Sequence, residues 1–203
     1  MNAVLDSPCP PTAARRFVTP DDLLRMGNEG KRYELIDGQL EELSVSFLSS
    51  YVAGETYDAL KSFVKPRNLG WVVPEGTSFR CFSEDRSRVR RADSAFFALD
   101  RITREQAVTE GHCTVCPDLV VEVISPNDLA VDVILKVKEW LAAGARLVWL
   151  IDPETKEVHC HDREQPSAIT IRREGETLTG DPVLAGFAVP VAELFRLPVA
   201  SPT

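Results

Sequence analysis

The sequence predicts an α/β domain: a mixed central β-sheet flanked by helices, with a β-hairpin near the N-terminus. Three observations predict it. Asp118–Ile124 (DLVVEVI) and Leu147–Ile151 (LVWLI) are short apolar runs, as expected of strands covered on both faces. Between them lies a segment of helical periodicity with tight joins. Strand, helix and strand then form a βαβ unit, with the two strands parallel and the crossover right-handed. Upstream, Asp37-Gly38 stands between two apolar-rich runs, a strong hairpin signal.

The elements follow in order. Thr19-Pro20-Asp21-Asp22 opens a short helix, with a capping hydroxyl, a proline at the first helical position and two acids at the positive helix end. Gly27 stops it. Strands near Arg32–Ile36 and Gln39–Val45 make the hairpin. Val52, Thr56, Ala59, Leu60, Phe63 and Val64 recur at helical spacing, which predicts a helix from about Ser50 to Val64. Short strands follow near Gly70–Val73, Thr77–Phe82 and Asp93–Leu99, and the highly charged Ser83–Arg91 reads as an exposed turn. Ser125-Pro126-Asn127 breaks the DLVVEVI strand and caps a helix that runs to about Ala143, with Gly144 as its stop. Ala130, Val133, Ile134, Val137, Trp140 and Leu141 form the expected buried stripe of that helix. The remainder, to about Phe195, reads as a hairpin or two and a final short helix.

Composition sets the outer limits. The 203 residues fit one domain over 17–196, with a loose arm at 1–16 and a loose tail at 197–203. No apolar run approaches the roughly 20 residues that span a bilayer. The N-terminus shows no secretory pattern, and an odd count of five cysteines argues for a reducing compartment. The expectation is a cytoplasmic protein. A net charge of −8 excludes broad, electrostatically driven binding to nucleic acid but leaves room for a local basic groove.

Two charges stand where burial is expected. Glu122 sits in the middle of its apolar strand and shares a face with Val120 and Ile124. Asp93 shares a face with Ala95 and Phe97. Burying a lone carboxylate costs several kcal/mol or more, so each is protonated, paired with a cation or bound to a metal. Two carboxylates bordered by apolar residues suit a hard divalent cation such as Mg²⁺, which takes a few carboxylate oxygens and completes its shell with water and phosphate. In the following helix, Lys136 and Lys138 flank the buried stripe, and periodicity does not choose between them.

Taken together, YELIDGQL (Tyr33–Leu40), RRADSAFFA (Arg90–Ala98), PDLVVEVISP (Pro117–Pro126), KVKEWLAAG (Lys136–Gly144) and LVWLIDPE (Leu147–Glu154) resemble the restriction-endonuclease family known as Uma-two, a branch of the PD-(D/E)XK nuclease superfamily. The resemblance spans about Thr19 to Phe195. It implies a restriction-endonuclease-like core in which Asp93 and Glu122 hold Mg²⁺ (Mn²⁺ as a substitute), Lys136 takes the lysine role, and Glu34 is a further acidic residue on the first hairpin. The chain departs from the pattern at three places. Ala92 precedes Asp93 where the family has proline, Ile124 stands at the superfamily's lysine position, and Ser49-Ser50-Tyr51 lacks the histidine that often opens the helix after the hairpin.

The resulting expectation is hydrolysis of DNA phosphodiesters, with Asp93, Glu122 and the backbone carbonyl of Val123 holding the ion. Arg86, Arg88, Arg90 and Arg91 would contact DNA phosphates, and a homodimer would suit cleavage of two strands. The competing reading is a degenerate nuclease fold kept as a binding or assembly module. Cys113-Thr-Val-Cys116, near His112, supplies only two of the four ligands that structural zinc needs, and reads as ordinary thiols. No Gly-x-Ser-x-Gly elbow or phosphate-cradling glycine loop is present.

Overall fold

The computed structural model describes residues 17–198. The arm read over 1–16, and residues 199–203 of the tail, lie outside them. Along the chain run α1 (Pro20–Arg25), a 3-10 turn (Glu29–Arg32), β1 (Tyr33–Ile36), β2 (Gln39–Glu42), α2 (Phe47–Arg67), β3 (Gly70–Pro74), β4 (Ser78–Phe79), β5 (Arg90–Arg91) and β6 (Ser94–Ala98). Then come α3 (Arg104–Val108), β7 (Leu119–Val123), α4 (Ala130–Ala143), β8 (Leu147–Asp152), β9 (Glu157–Asp162), β10 (Ile169–Arg173), β11 (Thr177–Gly180), β12 (Leu184–Pro190) and α5 (Val191–Leu194).

The central sheet has six strands in the order β10-β9-β8-β7-β6-β3. β7 and β8 are parallel, as a helical crossover requires, and the other neighbours are antiparallel. The strand period of two sorts β7 between the faces. Leu119, Val121 and Val123 join Val52, Leu60 and Val64 of α2 in one apolar cluster. Val120 lies on the other face with Ala95, Phe97, Val137 and Trp140. Glu122 therefore points toward α4. At the hairpin, Asp37 and Gly38 both have positive φ, 48° and 73°, as a type I′ turn demands.

Four expectations shift. The helix α2 begins at Phe47 rather than near Ser50, because Ser46 and Ser49 form a capping box that supplies its first turn. The strand expected over Thr77–Phe82 shrinks to Ser78–Phe79. The helix α4 begins at Ala130 instead of directly after Ser125-Pro126-Asn127. The carboxylate of Asp128 accepts the Ser125 N–H at 2.7 Å, and this turn precedes the helix. Its buried stripe is also narrower than read. Val137 and Trp140 are buried, Val133 and Leu141 are half-buried, and Ala130 and Ile134 are exposed, because the first turn of α4 borders a cleft instead of lying on the sheet.

Ser83–Arg91 is not an exposed turn throughout. Arg90 and Arg91 pair with β4, and Val89 bridges to Leu35 of the hairpin, so this second half is buried. Cys81, Cys113, Cys116 and Cys160 are free thiols. No helix among the described residues is long and apolar enough to cross a membrane.

Two glycines test the packing in opposite directions. A Cβ on Gly70, at φ +154°, would lie 1.9 Å from the Phe97 carbonyl oxygen, whereas one on Gly54, on the exposed side of α2, meets nothing. Gly70→Ala should lose about 2–3 kcal/mol of stability. Gly54→Ala should gain roughly 0.5–1 kcal/mol. Urea denaturation midpoints of the two variants check both signs.

Candidate active site

Three parts of the fold bring Asp93, Glu122 and Lys136 to one place. Glu122, 7% exposed, projects from the most buried strand of the sheet. Its Oε1 accepts the indole N–H of Trp140 at 2.7 Å. Its Oε2 takes the ammonium of Lys136 at 2.9 Å. Lys136 and Trp140 are one helical turn apart on α4, so they share a face and reach the same carboxylate. The choice between Lys136 and Lys138, open in the sequence, falls to Lys136, since Lys138 is exposed.

Asp93 stands immediately before β6. Its Oδ2 accepts the backbone N–H of Val123 at 2.6 Å, which draws the carboxylate across to the end of β7. Oδ1 has no hydrogen-bond partner among the described residues. The side chain is half-buried and lines the cleft.

Glu34, on β1, belongs to the same group. Its Oε1 lies 3.0 Å from Lys136 Nζ and 2.6 Å from the Arg91 N–H, and its Oε2 lies 2.8 Å from Arg90 Nη1. Lys136 thus bridges the hairpin carboxylate and the sheet carboxylate. Arg90 is held on its other side by Glu139 of α4 at 2.8 Å.

Three of the four arginines read as DNA contacts are engaged within the protein. Arg90 is enclosed by Glu34 and Glu139. Arg91 is buried, and its guanidinium donates to the carbonyls of Tyr33, Gly76 and Gly30. Arg88 is half-buried among Glu139, Asp37 and Asp85. Arg86 alone of the four is exposed. A buried guanidinium is retained where carboxylates and carbonyls satisfy its donors, and Arg88 and Arg90 tie the hairpin to α4.

Burial and charge set the proton affinities. Burial pushes the Glu122 carboxyl up to about 8 against the pull of Lys136, with Asp93 and Glu34 adding to the rise. Burial likewise raises Asp93 to about 6, opposed by Lys136 and the Val123 N–H. Glu34 is buried too, yet Lys136, Arg90 and the Arg91 N–H hold it below the usual carboxylate range. Lys136 is raised despite burial because Glu122, Glu34 and Asp93 surround it. Glu34, Asp93 and Glu122 thus gather around the one ammonium of Lys136, and Arg90 and Arg91 line the same cleft.

The cleft encloses a cavity of about 340 Å³, lined by Glu34, Asp93, Glu122, Val123 and Lys136 and walled by Ser49 and Ser125. No group of three or more His, Cys, Asp or Glu side chains that could hold a metal occurs among the described residues. The carboxylates of Asp93 and Glu122 line this one cleft, and that donor chemistry suits a hard cation that keeps several waters. His112, beside the CxxC, is held by Ser78 at 2.8 Å and the Pro20 carbonyl at 3.0 Å.

Four contributors escaped the sequence reading. Trp140 was legible only as a core residue, although its spacing of four from Lys136 carried the signal. Glu139 shares that turn. Ser49 and Ser125 are buried and hydrogen-bonded to each other at 3.0 Å, in the stretch where the histidine is missing. Nothing in the local pattern signals that pairing.

A mixed sheet with acids at the end of its central strands, and a lysine delivered by the crossing helix, defines a restriction-endonuclease-like α/β protein. The chain belongs to the Uma2 family, described as "Putative restriction endonuclease", whose family model matches residues 20–192. A crystal structure titled as a putative nuclease belonging to DUF820, from Anabaena variabilis ATCC 29413, is similar in fold. Its TM-score is 0.72 at 21% sequence identity, with 88% of this chain and 97% of that one covered. No curated protein matches the chain.

The Glu34–Arg90–Glu139 link yields a stability prediction. Arg90→Met leaves two buried or half-buried acids without their shared cation and should cost about 3–5 kcal/mol. Lys156→Met, which breaks the exposed pair with Glu174, should cost under about 1 kcal/mol. Equal losses in denaturant titrations would contradict the ranking.

Proposed function

We propose that this protein is a divalent-cation-dependent endonuclease that hydrolyses DNA phosphodiester bonds. The observation that carries it is the convergence of Asp93, Glu122 and Lys136 on one cleft, where three carboxylates gather around one ammonium. Membership of the family supports the same reading.

Asp93 and Glu122 would hold the ion, with the carbonyl of Val123 as the further donor. When bound, Mg²⁺ or Mn²⁺ supplies Lewis acidity toward the phosphate and acidifies water. Lys136, already at hydrogen-bond distance from Glu122, would orient the attacking water or meet the negative charge that grows on the phosphate oxygens in the transition state. Glu34 keeps Lys136 charged and aimed. Val133 and Ile124, both half-buried, border the cleft with apolar side chains, which strengthens these charge interactions. Arg86 is the arginine left to meet a DNA phosphate, because Arg88, Arg90 and Arg91 are engaged within the protein. In this reading residues 17–196 act as one unit in the cytoplasm, and two copies of the chain supply the two sites that cutting both strands requires.

Supercoiled DNA incubated with Mg²⁺ or Mn²⁺ tests the proposal. The wild type should nick it, and Asp93→Ala, Glu122→Ala and Lys136→Ala should each lower the rate at least about 100-fold. Equal nicking by all four proteins, or none by the wild type with either ion, would sink it. In the second case, a wild type that takes up no Mn²⁺ would favour the assembly-module reading.

A further inference from the structure

The structure holds two fully buried tryptophans next to the central strand, Trp140 and Trp149. The indole N–H of Trp149 has no partner among the described residues. That of Trp140 donates to Glu122 Oε1 at 2.7 Å. The Trp140 ring is itself fixed, edge-on to Phe79 with centroids 5.3 Å apart and tilted against Phe82 at 5.1 Å. A ring clamped in this way has little freedom to follow a moving carboxylate, so the carboxylate follows the ring.

Glu122 has two χ angles to order before its carboxyl plane is set, and a side chain free to rotate would present either oxygen to the cleft. With Oε1 committed to the indole, Oε2 is the oxygen that faces Lys136 and the cleft. An apolar residue of the same shape would fill the space between Phe79 and Phe82 equally well, so packing alone does not require the N–H. Leaving the carboxylate without this donor would also make its charged form harder to bury. Groups that hydrogen-bond a metal-binding carboxylate set its orientation and typically change metal affinity 10- to 100-fold.

We infer that Trp140 is a positioning residue for the metal site: its indole N–H holds Glu122 so that a single oxygen faces the ion. This rests on the reading of Glu122 as a cation ligand. Lys136 and Trp140 then divide the work on one carboxylate, the ammonium on the oxygen facing the cleft and the indole on the oxygen facing the core.

The test removes the N–H and keeps the ring. Site-specific replacement of Trp140 by β-(3-benzothienyl)alanine substitutes sulfur for the N–H within a fused ring of nearly the same shape, and Trp140→Phe is the genetically simple companion. Phe82→Leu loosens the ring's packing without touching the N–H. Mn²⁺ affinity is measured by calorimetry on the full chain, and melting temperature is measured without metal. The expected result is Mn²⁺ binding weakened about tenfold or more in both Trp140 proteins. The benzothienyl protein should melt below the wild type, because buried Glu122 Oε1 loses its donor. Phe82→Leu should melt lower and bind Mn²⁺ as the wild type does. Wild-type affinity in the benzothienyl protein overturns the inference and leaves the cation reading intact. A wild type that takes up no Mn²⁺ overturns both. Weakened binding in Phe82→Leu equal to that of the benzothienyl protein would overturn it in favour of packing alone.

Discussion

The contact between Lys136 and Glu122 is the interaction on which the rest of the site depends. A carboxylate in the middle of a fully buried strand is tolerated only with compensation, and here one ammonium meets it and a second acid together. That cation joins the hairpin carrying Glu34 to the sheet, alongside Arg90 and the Leu35–Val89 bridge. The compensation is incomplete, since Asp93 joins the same pocket. A protein built for stability alone would replace such a cluster with hydrophobic residues of similar volume, often at no loss. Its presence makes this cleft the candidate functional site.

Much of the architecture was legible because it rests on short-range rules. The alternation in DLVVEVI set two faces, and a charged residue on one of them was conspicuous against its neighbours. Asp37-Gly38 specified its turn through the positive φ that both residues adopt. Gly144 ended α4 in the left-handed conformation that glycine permits. Asp93, Glu122 and Lys136 were nameable for the same reason, aided by the resemblance, although periodicity left two lysines open until the path of α4 was known.

The arginine-rich segment illustrates the opposite case. Read locally, Arg86 to Arg91 is a run of exposed cations. Its burial follows from partners far away in sequence: Glu34 and Asp37 on the hairpin and Glu139 on α4. No window of the sequence contains both halves of those pairs, so composition pointed to solvent and DNA where the fold supplies carboxylates. Ser49 and Ser125 were illegible on the same grounds, since their hydrogen bond joins positions 76 residues apart. Ala130 and Ile134 misled differently. Their helical spacing was genuine, but spacing identifies a face without revealing where the sheet beneath it ends.

Lys136, Glu139 and Trp140 occupy a little more than one turn of a single helix, and between them they hold the paired acids, the arginine strut, and the sheet carboxylate from its second oxygen. Successive residues on a helix are separated by 100° of rotation. A slip of α4 by one residue would therefore disengage all three together. The helix behaves as a key cut with three teeth, and its angular setting either opens the whole arrangement or none of it.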